Sequence, residues 1–107
     1  MLDTQRHVER SSFAASQADA QETAAGALYA LAATAENRVS IASAGGITPL
    51  IALFDGGSEE AKEQAAGALM NLASNNVANQ TAIMGAGALA PLLALLKHGY
   101  AELHISC

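Results

Sequence analysis

Small and apolar residues recur with the 3.6-residue period of an α-helix in two segments of the chain. The first segment (residues 22–32) reads ETAAGALYALA and the second (residues 63–73) reads EQAAGALMNLA. The two match at a constant offset of 41 residues, as Gly26 and Gly67 show. A match of this length at one offset indicates an internal repeat. Apolar residues on one face predict a helix over each segment, from 19 to 33 and from 58 to 74.

Glycine and proline residues divide the remaining sequence into shorter helical segments. Closely spaced glycines predict helix ends, and Pro49 and Pro91 each predict the first turn of a helix. Ser58, which precedes two glutamates, predicts the N-cap of the second long helix. The predicted short helices cover residues 37–42, 48–54 and 79–83, followed by a helix that begins near Pro91 and ends before Gly99.

The two ends of the chain lack the repeated pattern. Asp19 and Glu22 form a D-x-x-E capping box, which predicts that the first long helix begins at Asp19. We therefore expect residues 1–18 to form a flexible or loosely helical N-terminal arm. Residues 19–99 are expected to hold the repeats, as a partial, a complete and a second partial copy. Residues 100–107 are expected to form a C-terminal tail.

The composition favours closely packed helices. Hydrophobic residues make up 51% of the chain, with no Trp, two Phe and two Tyr. Alanine dominates this fraction, so the core is expected to be all-α and tightly spaced. A net charge of −5 with five basic residues argues against nucleic acid and against an anionic membrane surface. The single cysteine, the polar N-terminus and the lack of a membrane-spanning run predict an intracellular protein, cytoplasmic or nuclear.

The chain shows no pattern that predicts an enzyme, a cofactor or a metal site. No Ser/His/Asp arrangement or pair of carboxylates has a spacing that supports catalysis. The segment Gly85–Ala90 matches a dinucleotide fingerprint, but it is a lone match and follows no predicted strand. His98, His104 and Cys107 do not have the spacing of a compact ligand set.

Two stretches of the chain resemble the armadillo-repeat family. Residues 44–73 read AGGITPLIALFDGGSEEAKEQAAGALMNLA, and residues 79–97 read NQTAIMGAGALAPLLALLK as part of a following copy. The resemblance rests on the period near 42 residues, the three-helix order and the Ala-Gly-[Gly/Ala]-x-x-Pro-Leu junction. It implies an all-α, right-handed α-solenoid fragment of about two repeats.

The resemblance also implies a function. In this family the third helix of each repeat lines a concave groove that binds extended peptides or partner proteins. Asn71 stands where the family carries an asparagine that bonds the peptide backbone, whereas the preceding copy has Ala30. Gly67 stands where import receptors carry Trp, so the chain looks closer to the β-catenin-like and ubiquitin-ligase-associated members. The implied groove residues are Asn71, Met70, Gly67 and Tyr29.

Two hypotheses about function stay open at this point. The chain is a protein-interaction module with its ligand in the third-helix groove, or it is a structural, self-assembling repeat unit with no independent ligand. Gly26 and Gly67 are explained either by close helix approach or by contact with a ligand. The unpaired apolar faces of the first and last helices predict a homo-oligomer through exposed repeat ends.

Overall fold

The computed structural model describes the backbone of residues 2–106 and the side chains of residues 16–99. Within this part the chain forms α-helices joined by turns and contains no strand. The helices are α1 (Leu2–Leu31), α2 (Ala35–Ser43), α3 (Ile47–Ala52), α4 (Glu59–Ala73), α5 (Val77–Gly85) and α6 (Leu89–Ser106).

The central helices form where the sequence predicts them. The Ser58 hydroxyl accepts a hydrogen bond from the Ala61 backbone N–H at 3.1 Å, which confirms the predicted N-cap of α4. Gly45 and Gly87 have positive φ angles of 83° and 86°, so they end α2 and α5 in the left-handed conformation that glycine adopts most easily. Helix boundaries in this region agree with the predicted ones to within about two residues, which is the usual uncertainty of helix ends.

The helix boundaries predicted near the two ends of the chain were wrong. α1 does not begin at Asp19, because one helix runs from Leu2 to Leu31 and the capping-box residues lie in its interior. No glycine or proline precedes Gly26, so nothing in this stretch ends the helix. α6 likewise continues through Gly99 to Ser106, since one glycine costs about 1 kcal/mol relative to alanine and does not by itself break a helix. Met1 and Cys107 lie outside the described residues.

The helices form two equivalent sets. α1 and α4 contain the repeated segments and are the third helices of their repeats. At an offset of 42 residues, α2 corresponds to α5 (the first helices), and α3 corresponds to α6 (the second helices). In chain order the helices are therefore third, first, second, third, first and second.

The core lies between the two third helices and under the helices that connect them. α1 and α4 make the most extensive helix–helix contact, and α3 lies against α4 and α5. Small side chains at this contact allow the two helix backbones to approach closely. The buried apolar residues that join these helices are Ala25, Ala32, Ile47, Leu50, Ala65, Ala68, Leu69, Leu72, Ile83 and Ala88.

Gly67 allows a close contact between α1 and α4. It is buried, and the ring of Tyr29 lies over its Cα. A Cβ atom at position 67 would overlap that ring, with Cζ of Tyr29 only 2.7 Å away. The equivalent Gly26 is less confined, since a Cβ atom there would meet the flexible side chain of Gln64 at 3.3 Å. The close-approach explanation therefore holds for Gly67.

We expect the two equivalent glycines to respond to alanine with opposite signs. Gly26→Ala should raise the free energy of unfolding by about 0.5–1 kcal/mol, because alanine favours the helix and Gln64 can move aside. Gly67→Ala should lower it by about 1 kcal/mol, because overpacking against Tyr29 outweighs the gain in helix propensity. Urea denaturation measures both changes.

The double variant Tyr29→Ala/Gly67→Ala provides the control. In the Tyr29→Ala background the alanine at position 67 meets no ring, so its penalty should disappear. Equal stabilisation by alanine at both glycines would contradict the assigned contact.

Candidate functional site

The predicted groove residues lie where α1 and α4 run side by side. Asn71 is half-buried on α4, and its Nδ2 donates a hydrogen bond of 2.9 Å to the backbone carbonyl of Tyr29 on α1. The donor of this side chain is therefore used within the protein. Asn71 joins the two third helices in addition to any contact with a ligand.

The Tyr29 carbonyl needs this donor because it lies in the last turn of α1. In a continuing helix it would pair with the backbone N–H of Ala33, but that N–H bonds the Ala30 carbonyl at 3.3 Å instead. Carbonyl groups in the last turn of a helix lack intrahelical partners and need donors from elsewhere. The Asn71 amide supplies such a donor from the neighbouring helix.

The acceptor atom of the same amide stays available. Oδ1 of Asn71 accepts no hydrogen bond from another described residue. Because every buried polar side-chain atom among the described residues has a partner, this unpaired Oδ1 must contact solvent. One face of the amide thus holds α1 while the other offers an acceptor to an N–H from outside.

The other three predicted residues surround this amide unequally. Met70 is 59% exposed next to Asn71. Tyr29 is half-buried and its hydroxyl forms no hydrogen bond with a described residue, so it also faces solvent. The assignment of Gly67 as a groove-lining residue is corrected: it lies under the Tyr29 ring and offers no open surface. The site consists of Asn71, Met70 and the Tyr29 side chain, which we call the amide site.

Carboxylates recur on the N-terminal halves of both third helices, on the same side as this site. Glu60 and Glu63 are exposed on α4, and by helical spacing they share a face with Asn71. At the same offset α1 carries Asp19 and Glu22. Lys62 forms an ion pair with Glu59 at 3.4 Å, and such a partly exposed pair adds little stability. The N-terminal half of the third-helix face is therefore acidic.

Arg38 joins the ends of both third helices, and its role is not visible in the apolar pattern. Its Nε donates to the Ala32 carbonyl at 2.8 Å, and its Nη2 donates to the Ala33 carbonyl at 2.9 Å. Its Nη1 donates to the Ser74 carbonyl just beyond α4 at 3.2 Å. One guanidinium thus pairs with three carbonyls at two helix C-termini, where a positive charge also favours the helix dipoles.

Side chains of the first helices repeat this arrangement. Asn37 donates to the Leu31 carbonyl, and the equivalent Asn79 donates to the Leu72 carbonyl, each at 2.9 Å. Gln80, the equivalent of Arg38, donates to the Ala73 carbonyl at 2.8 Å. The sequence holds a signal for this, since Asn-Arg and Asn-Gln stand at equivalent positions in the first turns of α2 and α5. Apolar and glycine spacing alone does not reveal it.

Possible metal ligands are not clustered among the described residues. These residues contain no group of three His, Cys, Asp or Glu side chains that could hold a metal ion. The side chains of His104 and Cys107 lie outside the described part. No single described helix is long and apolar enough to cross a membrane, although α5 and α6 up to Gly99 pass that test together despite an 85° bend between them.

Comparison with known proteins agrees with the helix order. Residues 34–74, which contain α2, α3 and α4, match the family model described as Armadillo/beta-catenin-like repeat. The chain has an armadillo-like fold. The match supports the armadillo-repeat family, whose repeats are generally protein-interaction modules without enzymatic activity. No curated protein and no solved structure gives a significant match.

Arg38→Gln should test how much the guanidinium contributes to stability by linking the C-terminal ends of α1 and α4. Glutamine can keep the bond to Ala32, as Gln80 does with Ala73, but it cannot reach Ala33 and Ser74 as well. We expect the free energy of unfolding to fall by about 1.5–3 kcal/mol, the usual contribution of hydrogen bonds from a charged group. Chemical denaturation measures the change.

Gln80→Ala is the matched control for this prediction. It removes one neutral hydrogen bond at an exposed position and should cost about 0.5–1.5 kcal/mol. If Arg38→Gln costs no more than Gln80→Ala, the bonds to Ala33 and Ser74 together contribute no more than one neutral hydrogen bond.

Proposed function

We propose that the protein is an interaction module that binds an extended segment of a partner protein across α1 and α4 at the amide site. The observation that carries this proposal is the solvent-facing Oδ1 of Asn71, with exposed Met70 beside it. An armadillo-like fold makes protein binding the expected class of activity.

The amide is suited to bind a main chain of any sequence. An extended segment leaves backbone N–H groups unpaired, and the Asn71 Oδ1 can accept a hydrogen bond from one of them. Its Nδ2 remains bonded to the Tyr29 carbonyl, which fixes the orientation of the amide before the partner arrives. Such preorganisation lowers the entropic cost of binding.

The surroundings of the amide indicate what kind of side chains the partner presents. Met70 offers a flexible apolar surface, which tolerates apolar side chains of different shape. Glu60 and Glu63, with Asp19 and Glu22 on α1, favour basic residues on the side of the N-terminal halves of the helices. The Tyr29 ring covers Gly67, so the partner meets no tryptophan wall of the import-receptor kind. This supports the β-catenin-like or ubiquitin-ligase-associated type over the importin type.

A structural role is the second candidate function. Apolar side chains are also exposed away from the amide site, at Leu31 on α1 and at Leu93 and Leu96 on α6. These surfaces suit stacking of repeats and require no peptide ligand.

A peptide selected by display against the wild-type chain provides the probe for this proposal. Asn71→Ala should weaken its binding about 5- to 30-fold, as expected for one or two lost hydrogen bonds at about 1 kcal/mol each. Ala30→Asn should strengthen binding, because it adds an amide at the exposed equivalent position of α1. Isothermal titration calorimetry measures both affinities.

N-methylation of the peptide, one amide at a time, separates a direct contact from a structural effect. At one position N-methylation should weaken binding to the wild type and leave binding to Asn71→Ala unchanged. Binding that is equally tight to the wild type and to Asn71→Ala would refute the proposed site, and so would an N-methylation profile that is the same for both.

A further inference from the structure

Positions that are buried in the second repeat are open in the first. Leu72 on α4 is 0% exposed, whereas the equivalent Leu31 on α1 is 53% exposed. Ile83 on α5 is buried, whereas the equivalent Ile41 on α2 is half-buried. The result is an open apolar groove between α1 and α2, lined by Leu28, Leu31, Asn37, Ser40, Ile41, Ala44 and Gly46. We call it the α1–α2 groove.

Inside the chain the corresponding surface is covered by a second helix. α3 lies against α4 and α5, and its Leu50 is fully buried in that contact. Ile51, Leu53 and Phe54 also pack against the core from this helix and the turn after it. Apolar residues at these four positions therefore allow a second helix to cover the third helix of its own repeat and the first helix of the following one.

α6 carries these residues at the equivalent positions. Leu92, Leu93, Leu95 and Leu96 stand where α3 and its turn carry Leu50, Ile51, Leu53 and Phe54. Two of these leucines are turned to solvent, with Leu93 42% and Leu96 68% exposed. No described residue covers them. The chain thus carries both an open groove and an uncovered helix of the kind that fills such a groove.

We propose that α6 of one copy docks in the α1–α2 groove of a second copy, as α3 docks on α4 and α5 within the chain. The order of the helices makes the result continuous, because α5 and α6 of one copy and α1 of the next form one complete repeat. This contact joins two different surfaces and leaves one of each free, so it extends head to tail.

A second pair of equivalent clefts supports the same occupant. The cleft between α4 and α6 is lined by Lys62, Pro91 and Leu95 and is bordered by Phe54. The equivalent cleft between α1 and α3 is lined by Gln21, Pro49 and Leu53, with no described residue in the place of Phe54. In the docked arrangement Leu96 of the neighbouring copy, the equivalent of Phe54, occupies that place.

Three lysine substitutions test the arrangement by sedimentation velocity over a range of concentrations. Leu31→Lys blocks the groove, and Leu96→Lys blocks the docking helix; both positions are exposed, so neither change disturbs the core. Val77→Lys is the matched control. Val77 is 75% exposed. Its equivalent Ala35 is also exposed, although Ala35 is followed by the rest of its repeat within the same chain. This position therefore lies outside the contact between repeats.

The wild type and Val77→Lys should form assemblies that grow with concentration. Leu31→Lys and Leu96→Lys should each associate at least about tenfold more weakly, as for loss of a central apolar contact. An equimolar mixture of the two blocked variants should restore a complex of one copy of each and nothing larger, since the mixture holds one intact groove and one intact docking helix.

Several results would overturn the proposal. A wild type that stays monomeric at all concentrations would do so, and so would blocked variants that assemble like the wild type. A mixture that fails to form the one-to-one complex would show that the two surfaces do not bind each other. Thermal unfolding of each variant confirms that the monomers are folded. Peptide binding plays no part in these measurements, so their outcome is independent of the amide site.

Discussion

The structure depends on how the carbonyl groups at the end of each third helix find hydrogen-bond donors. At the end of α1 the carbonyls of Leu28 and Ala30 bond backbone N–H groups. The other four, at residues 29 and 31–33, bond the side chains of Asn71, Asn37 and Arg38. Because those side chains belong to α4 and α2, the hydrogen bonds that satisfy the end of α1 also help to position α2 and α4. Two of these four bonds are exposed and two are part-buried, and such a bond contributes about 0.5–1.5 kcal/mol to stability, or about 1.5–3 kcal/mol when the donor is charged.

The last carbonyls of α4 also accept hydrogen bonds from side chains, and some of these donors differ from those at the end of α1. Asn79 and Gln80 repeat the roles of Asn37 and Arg38, and Asn79 also donates to the Arg38 carbonyl at 3.1 Å, which links the two first helices. The Met70 carbonyl, equivalent to that of Tyr29, accepts from the Ser74 hydroxyl at 3.1 Å rather than from an amide of another helix. The backbone requirement is constant from repeat to repeat, while the side chain that meets it varies.

Local features of the sequence predict the helices, whereas the contacts between helices depend on residues that folding brings together. Spacing of apolar residues and glycines predicts α2 to α5 well, because burial and helix breaking are local properties. It fails at the ends, where a capping box at Asp19 and a glycine at Gly99 lie inside continuous helices. The spacing of apolar residues does not reveal the donors Arg38 and Asn79, and their bonds to the carbonyls of Ser74 and Arg38 join residues that are distant in sequence. Asn71 is predicted as a ligand-binding residue, but its bond to Tyr29 depends on where α1 ends.

Asn71 is therefore part of a joint between two helices rather than a feature of one. Its Nδ2 is held by the Tyr29 carbonyl, and the Tyr29 ring is held against Gly67, so the direction of Oδ1 depends on the contact between α1 and α4. A third helix that packed after α4 would meet a Met70 carbonyl already paired with Ser74, so it would need no asparagine. α1 has Ala30 at that position, which makes it compatible with such a joint. In an array of docked copies the amide site would then recur once per chain, at every second contact between third helices. Successive sites would lie two repeats apart.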